Sequence, residues 1–171
     1  MDDLTINKVS ESGLITLDLE DYYPKEDLMM FDLKDFLFME LILKEKDYRA
    51  ALKNYNFSVF NNKYTSIFCS VDAVIPMWAF MLASVYIQPF AKDVFFGNEQ
   101  LLKEKVFLNN LEAINSMDFL DKRVVIKGCG ELPISENAYV LISKLLRPVV
   151  KSIMYGEPCS TVPIFKQSKP L

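Results

Sequence analysis

Hydrophobic and polar residues follow two kinds of local pattern in the first sixty residues. Residues 14–19 alternate between apolar and polar side chains, which predicts a strand. Residues 29–33 predict a second short strand, followed by a helix from Lys34. Residues 45–55 carry apolar side chains at helical spacing, which predicts another helix.

From residue 64 onward, strand and helix patterns alternate regularly. Strands are predicted at residues 64–68, 93–96, 123–127 and 149–155, with a helix in each interval. This alternation is typical of successive βαβ units and indicates parallel strands. We predict an α/β three-layer sandwich with a mainly parallel sheet, formed by four βα-type strands from residue 64 on. No internal repeat is apparent, so we expect residues 1–171 to form one domain, with residues 1–60 as an N-terminal strand and helix extension packed on it.

One uncharged segment, residues 73–91, has the length of a bilayer span. Pro76 and Pro89 leave only residues 77–88 for a helix, which would rise about 18 Å at 1.5 Å per residue. The segment therefore predicts a buried helix rather than a membrane span. The acidic start of the chain shows no export signal, so we expect a cytosolic protein with reduced thiols.

Composition and charge exclude several classes of function. The 171 residues are 51% hydrophobic and 25% charged, which is a globular composition. A net charge of −4 argues against a nucleic-acid-binding protein, because phosphate recognition calls for basic surfaces. The chain has 0 histidines, which excludes serine–histidine and cysteine–histidine pairs and histidine metal ligands within it.

The three cysteines share a position relative to the predicted strands. Cys69, Cys129 and Cys159 follow the first, third and fourth strands of the alternating region. In a parallel sheet the carboxyl ends of the strands lie along one edge, where ligands bind. A strand order of 2-1-3-4 would make these strands neighbours, about 4.8 Å apart. We therefore predict a cysteine-lined site at the carboxyl edge of the sheet.

Such a site suits several kinds of chemistry. Thiolates are ligands for zinc and for iron–sulfur clusters, and Asp72 lies close enough to Cys69 in sequence to supply a fourth ligand. Alternatively, one cysteine serves as a nucleophile, a redox thiol or a persulfide carrier. The third possibility is that the cysteines are only packing residues. The turn at Gly128 and Gly130 offers main-chain amides to an anionic cofactor, although it lacks a complete phosphate-loop motif.

Two other hypotheses do not involve the thiols. The acidic residues Asp18, Glu20 and Asp21 suggest a hard-cation site or a solvated loop. A metal-free enzyme would use carboxylates at the sheet edge as acid and base, for which the candidates are Asp72, Glu131 and Glu157. Whether the protein is an enzyme stays open.

Several strings along the chain resemble one bacterial protein family. They are residues 13–24, 43–47, 69–70 with 75–76 and 78–79, 127–129 and 151–163. The family is domain of unknown function 2480, found mainly in Bacteroidetes. The resemblance implies no particular activity, but it implies an association with iron–sulfur cluster assembly proteins as partners.

From these observations we predict a cytosolic accessory protein whose cysteine-lined site handles a metal, an iron–sulfur cluster or sulfur. The alternative is a non-catalytic scaffold or partner-binding protein whose cysteines only pack in the core. Its function would then lie in an exposed apolar face or in a homo-oligomer.

Overall fold

The chain divides into two compact units, seen in a computed structural model that describes residues 14–128, 130–157 and 159–167. Unit 1 comprises Met1–Pro24 and Phe107–Leu171, and unit 2 comprises Lys25–Val106. The N-terminal residues are not a separate extension, because each unit takes a strand of its sheet from them. That the whole chain behaves as one domain stays a prediction.

Nine strands and four α-helices are present in the described ranges. In chain order they are β1 (Leu14–Asp18), β2 (Leu28–Asp32), β3 (Leu37–Phe38), β4 (Ile42–Leu43), α1 (Glu45–Asn54), β5 (Tyr64–Phe68), α2 (Met77–Ile87), β6 (Asp93–Phe96), α3 (Glu99–Glu112), β7 (Arg123–Lys127), α4 (Glu136–Leu146), β8 (Ser152–Glu157) and β9 (Ser160–Lys166). Single turns of 3-10 helix occur at Leu19–Tyr22, Leu33–Phe36, Phe57–Phe60 and Ser116–Phe119.

Unit 2 is a three-layer arrangement around a three-stranded sheet. The strands lie in the order β2-β5-β6 and are all parallel. Phe31 and Ile67 face a core formed with α1 and α2. The alternate residue Tyr64 faces the other side, where it packs with Leu102 and Val106 of α3. The sheet is therefore covered on both faces, as parallel sheets usually are.

Unit 1 contains a four-stranded sheet in the order β1-β7-β8-β9. The first three strands are parallel and β9 is antiparallel to β8. One face packs on α4 and on the end of α3, which buries Phe107 and Leu111. The predicted α/β class with mainly parallel strands is confirmed. The four strands from residue 64 on, however, are divided between two sheets rather than joined in one.

The two units repeat one backbone, with equivalent residues 59 positions apart. Residues 48–97 of unit 2 correspond in this way to residues 107–156 of unit 1. Identical residues at equivalent positions include Asn56 and Asn115, Phe60 and Phe119, Lys63 and Lys122, Ile67 and Ile126, Ala79 and Ala138, Pro89 and Pro148, and Gly97 and Gly156. The expectation that the chain has no internal repeat was wrong.

Main-chain geometry at matched turns supports the repeat. Gly97 and Gly156 have φ values of 137° and 117°, a region that L side chains rarely adopt. Asn62 and Asp121 are both left-handed, with φ values of 55° and 58°. The first strands also match, because Asp18 and Asp32 each accept a hydrogen bond from the amide two residues later and so cap a 3-10 turn.

Three predicted elements differ in the structure. The helix expected from Lys34 is one 3-10 turn followed by the short β3–β4 hairpin. The last parallel strand begins at Ser152, three residues later than expected, because residue 149 still belongs to the turn after α4. Strand β9 was not predicted, since Pro163 interrupts its pattern, and it tolerates proline as an edge strand.

The uncharged segment forms α2, which is 11 residues long. Within the ranges that the structure describes, no helix is long and apolar enough to cross a membrane.

Candidate functional site

The carboxyl edge of the unit 1 sheet gathers three charged side chains from three adjacent strands. Asp18 ends β1 and is the register partner of Lys127, which ends β7. The Lys127 Nζ lies 3.6 Å from Asp18 Oδ2 and 3.3 Å from Glu157 Oε1 at the end of β8. Lys127 therefore joins the ends of all three parallel strands.

Two further hydrogen bonds fix the turn that follows β7. The Gly130 amide donates to Glu20 Oε1 at 2.6 Å. The Tyr139 hydroxyl, in the first turns of α4, donates to the Gly128 carbonyl at 2.8 Å. A Cβ on Gly130 would collide with the Glu20 carboxylate, so this close approach requires glycine. The turn is thus held from both sides by groups of unit 1.

The charges at this edge are mainly negative. Hydrogen bonding to Glu157, the attraction of its charge and that of Asp18 raise the pKa of Lys127 above its usual value. Lys127 contacts two carboxylates, those of Asp18 and Glu157, and the Glu20 carboxylate lies at the turn that follows β7. The edge therefore has a net negative charge and attracts cations.

The equivalent edge of unit 2 has different chemistry. Asp32 Oδ1 accepts hydrogen bonds from the amides of Lys34 at 2.9 Å and Ser70 at 3.0 Å. Burial raises the pKa of Asp32, but the hydrogen bonds from Ser70 and Lys34 outweigh it, and the net pKa is lowered. The position equivalent to Lys127 is Phe68, so the lysine that joins the strand ends in unit 1 has no counterpart at this position of unit 2.

The predicted convergence of three cysteines was based on one sheet that contains all three preceding strands, and such a sheet does not occur among the described strands. Cys69 follows β5 in the sheet of unit 2, whereas residues 129 and 159 follow β7 and β8 in the sheet of unit 1. The strand order 2-1-3-4 does not occur. Cys69 is partly buried against the unit 2 core, and its Sγ donates to the Val71 carbonyl at 3.5 Å. Cys159 is exposed, and Cys129 lies outside the described residues.

The remaining predicted ligands do not form a metal centre in the structure as described. Asp72 is exposed in unit 2, after β5, in the same part of the chain as Cys69. Glu131 is exposed in unit 1. Across residues 14–128, 130–157 and 159–167, no group of three or more Cys, Asp or Glu side chains is placed to hold a metal ion.

In the turn that contains Gly128 and Gly130, one main-chain amide already binds a carboxylate of the chain itself. The Glu20 carboxylate takes the position that an anionic ligand of the Gly130 amide would need. The role of these glycines in cofactor binding stays a prediction, and in the structure the Gly130 amide holds Glu20 while the Gly128 carbonyl accepts from Tyr139.

Sequence reasoning did not identify Lys127 or Tyr139 as parts of this edge. Lys127 was detectable as the last residue of a strand that ends at glycine, since such positions border ligand sites in parallel sheets. Tyr139 was assigned only to the apolar face of a helix. Its hydroxyl contact depends on how α4 packs on the sheet, which periodicity does not reveal.

Comparisons with known proteins identify the family of the chain. No curated protein matches it, and no solved structure matches it. Residues 3–167 match the family described as protein of unknown function, DUF2480. The match covers nearly the whole chain, and the chain belongs to the DUF2480 family.

Proposed function

We propose that the carboxyl edge of the unit 1 sheet is a thiol site for a soft metal ion, with Cys129 and Cys159 as its ligands. Cys69 is not part of this proposal, because it follows a strand of the other sheet. The proteins of iron–sulfur cluster assembly would be the partners that exchange the metal.

The observation that carries the proposal is the ion pair between Lys127 and Glu157. Strands β7 and β8 are adjacent and parallel, with Ile126 opposite Tyr155. The 3.3 Å contact shows that side chains at the ends of these strands meet. Cys129 comes two residues after Lys127 in the sequence, and Cys159 comes two residues after Glu157.

The charge of this edge favours a cation over a reactive thiolate. A nucleophilic thiolate is usually stabilised by nearby positive charge. Here the carboxylates outnumber the single lysine, which favours binding of a metal ion by deprotonated thiols. Carboxylate oxygens of Asp18 and Glu157 would complete the ligand set after Lys127 moves aside.

Zinc titration of the reduced full-length protein against a chromogenic chelator tests the proposal. We expect one equivalent of Zn²⁺ to bind, with affinity that falls as the pH is lowered because protons compete for the thiolates. Cys129→Ser and Cys159→Ser should each weaken binding by at least about 10-fold.

The third cysteine provides a matched control. Cys69→Ser should leave zinc binding unchanged, because Cys69 belongs to the unit 2 sheet. Failure of the wild-type protein to compete with the chelator would overturn the proposal, as would equal losses in all three variants. Mild oxidation without metal gives a second readout. A disulfide between residues 129 and 159 would support their proximity, whereas pairing of either with Cys69 would contradict it.

A further inference from the structure

The outer face of α2 is apolar, whereas the outer face of the equivalent helix, α4, has a charged residue at each end. The side chains of Met77, Met81 and Val85 lie four residues apart along α2 and are exposed. Their equivalents in α4 are Glu136, Val140 and Lys144. The inner faces of the two helices match, since Ala79 and Ala138 are both fully buried, and so are Ile87 and Leu146.

Comparing α2 with α4 shows which side chains of this helix the fold requires. Both helices are 11 residues long and cover equivalent strands. Helix α4 shows that this backbone folds with a charged residue at each end of the outer face. The apolar residues on α2 therefore have a cause other than folding, and exposed apolar patches of this kind mark interaction sites.

The outer edge of β6 is also unpaired in the described part of the chain, whereas the outer edge of the equivalent strand, β8, is paired. In unit 1, β9 pairs antiparallel with the outer edge of β8. In unit 2, no described strand pairs with the outer edge of β6. Phe96 of β6 is 72% exposed, whereas its equivalent Tyr155, opposite Val162 of β9, is 39% exposed. Unpaired edge strands are templates for pairing with another chain.

The uncovered strand and the apolar helix face are continuous. The rings of Phe80 and Phe96 pack edge to face, with centroids 5.3 Å apart. Phe80 lies one turn after Met77 on α2, so their side chains are neighbours on the helix surface, and Met81 is the next residue along the chain. A single partner can therefore cover the helix face and the strand edge together. We call this surface, formed by Met77, Met81, Val85 and the outer edge of β6, the β6 surface.

We propose that the β6 surface binds a second copy of this chain, with β6 pairing antiparallel to β6 of the other copy about a two-fold axis. The Gly97 amide donates to the Ile67 carbonyl, so the main-chain groups of Val94 and Phe96 point to the outer edge. When the two-fold axis passes beside Phe95, Val94 of one copy pairs with Phe96 of the other. The Val94 amide, which donates to the Asp93 carboxylate at 2.8 Å, would turn to a carbonyl of the second copy.

Charge favours a second copy over other occupants. In a two-fold interface each patch faces itself, so any charge close to the axis meets a like charge. Residues 73–91 contain no charged side chain, which removes that repulsion along the whole helix, and the one charged residue of β6 is Asp93, two residues from Phe95 at the axis. A membrane surface is disfavoured, because helices that lie on membranes carry Lys and Arg beside their apolar face. This inference does not depend on the thiol site, whose residues follow strands of unit 1.

The mass of the full-length protein in solution tests this inference. Light scattering after gel filtration should give about twice 19.7 kDa. Met81→Glu should raise the dissociation constant at least about 10-fold, because it buries two like charges near the axis. Val140→Glu is the matched control, since Val140 is the equivalent residue on α4 and both side chains are 68% exposed. That variant should stay dimeric.

Hydrogen exchange tests the strand pairing separately from the helix face. The amides of β6 should lose protection when the protein is diluted below its dissociation constant, while those of β8 stay protected by β9. A wild-type monomer would overturn the inference, whether or not it binds lipid vesicles. Equal weakening of the dimer by Met81→Glu and Val140→Glu would also overturn it. So would a dimer in which hydrogen exchange of the β6 amides does not change on dilution.

Discussion

Units 1 and 2 share a backbone but differ in chemistry at two exposed places, the carboxyl edge of the sheet and the outer face of one helix. At the carboxyl edge, unit 1 has Lys127 between two carboxylates, and unit 2 has Phe68 at the equivalent position. On the outer face of the helix after the central strand, unit 2 has Met77 and Val85, and unit 1 has Glu136 and Lys144.

This difference shows which positions are required for folding and which are free to serve a function. Most buried positions stay apolar in both units, as with Leu52 and Leu111, because close packing tolerates little change, and the buried Thr65 is an exception. Exposed positions are free to diverge. The polar edge of unit 1 and the apolar helix of unit 2 are therefore the features on which the two proposals rest, the first for a bound ion and the second for another copy of the chain.

The largest expected effect comes from shortening equivalent core residues. Leu52→Ala and Leu111→Ala each remove a fully buried side chain from the helix before the central strand, so each should cost about 3 kcal/mol of the free energy of unfolding. Denaturant unfolding followed by circular dichroism measures both. Fluorescence of Trp78, the 1 tryptophan of the chain, reports on unit 2. Costs that differ by more than about twofold would show that the two cores are not equivalent.

A reciprocal exchange between the central strands should have opposite effects in the two units. The buried Thr65 Oγ1 has no hydrogen-bond partner among the described residues, and the equivalent residue of unit 1 is Val124. Thr65→Val should stabilise the protein by about 1 kcal/mol, because it removes an unsatisfied hydroxyl. Val124→Thr should destabilise it by a similar amount or more. Thermal unfolding measures both, and destabilisation by Thr65→Val would show that the hydroxyl has a partner.

A smaller effect should follow from crowding the turn after β7. Gly130→Ala would push the Glu20 carboxylate away from the Gly130 amide, at a cost of about 1 kcal/mol. Val71 occupies the equivalent position in unit 2, and Val71→Ala serves as the control with little change expected. In a Glu20→Ala background, Gly130→Ala should cost almost nothing. An unchanged cost in that background would mean that Glu20 is not what restricts residue 130.

The smallest expected effect is a pH dependence that comes from Asp32 in unit 2. The pKa of Asp32 is lowered in the folded protein from its ordinary value of 3.8, so the carboxylate stabilises the fold above that pH. This contribution disappears as the pH falls through the lowered value. Asp32→Asn should therefore reduce the loss of stability between about pH 5 and pH 3, by less than about 1 kcal/mol. Urea unfolding of the wild type and the variant at each pH measures this, and an unchanged loss of stability in Asp32→Asn would contradict the prediction.

Much of the fold could be predicted from local patterns, and the site only in part. The strands at residues 64–68, 93–96 and 123–127 were placed correctly, because their apolar runs end at glycine, cysteine or polar residues. The repeat was also visible in principle, since Asn, Phe, Lys, Pro and Gly recur 59 residues apart, but most other positions differ. Lys127 and Glu157 were not paired in advance, because their contact depends on β7 and β8 being neighbours.

The sequence by itself determined the α/β class, the helices around Tyr48, Ala79 and Ile142, and the parallel strands between them. These depend on periodicity and on turn residues close in sequence, which act before distant segments meet. Only the tertiary structure decided that β5 joins one sheet while β7 and β8 join another, which separates Cys69 from the edge next to Lys127. Strand partners are chosen by contacts between residues far apart in sequence, and these contacts leave little trace in the pattern of any one strand.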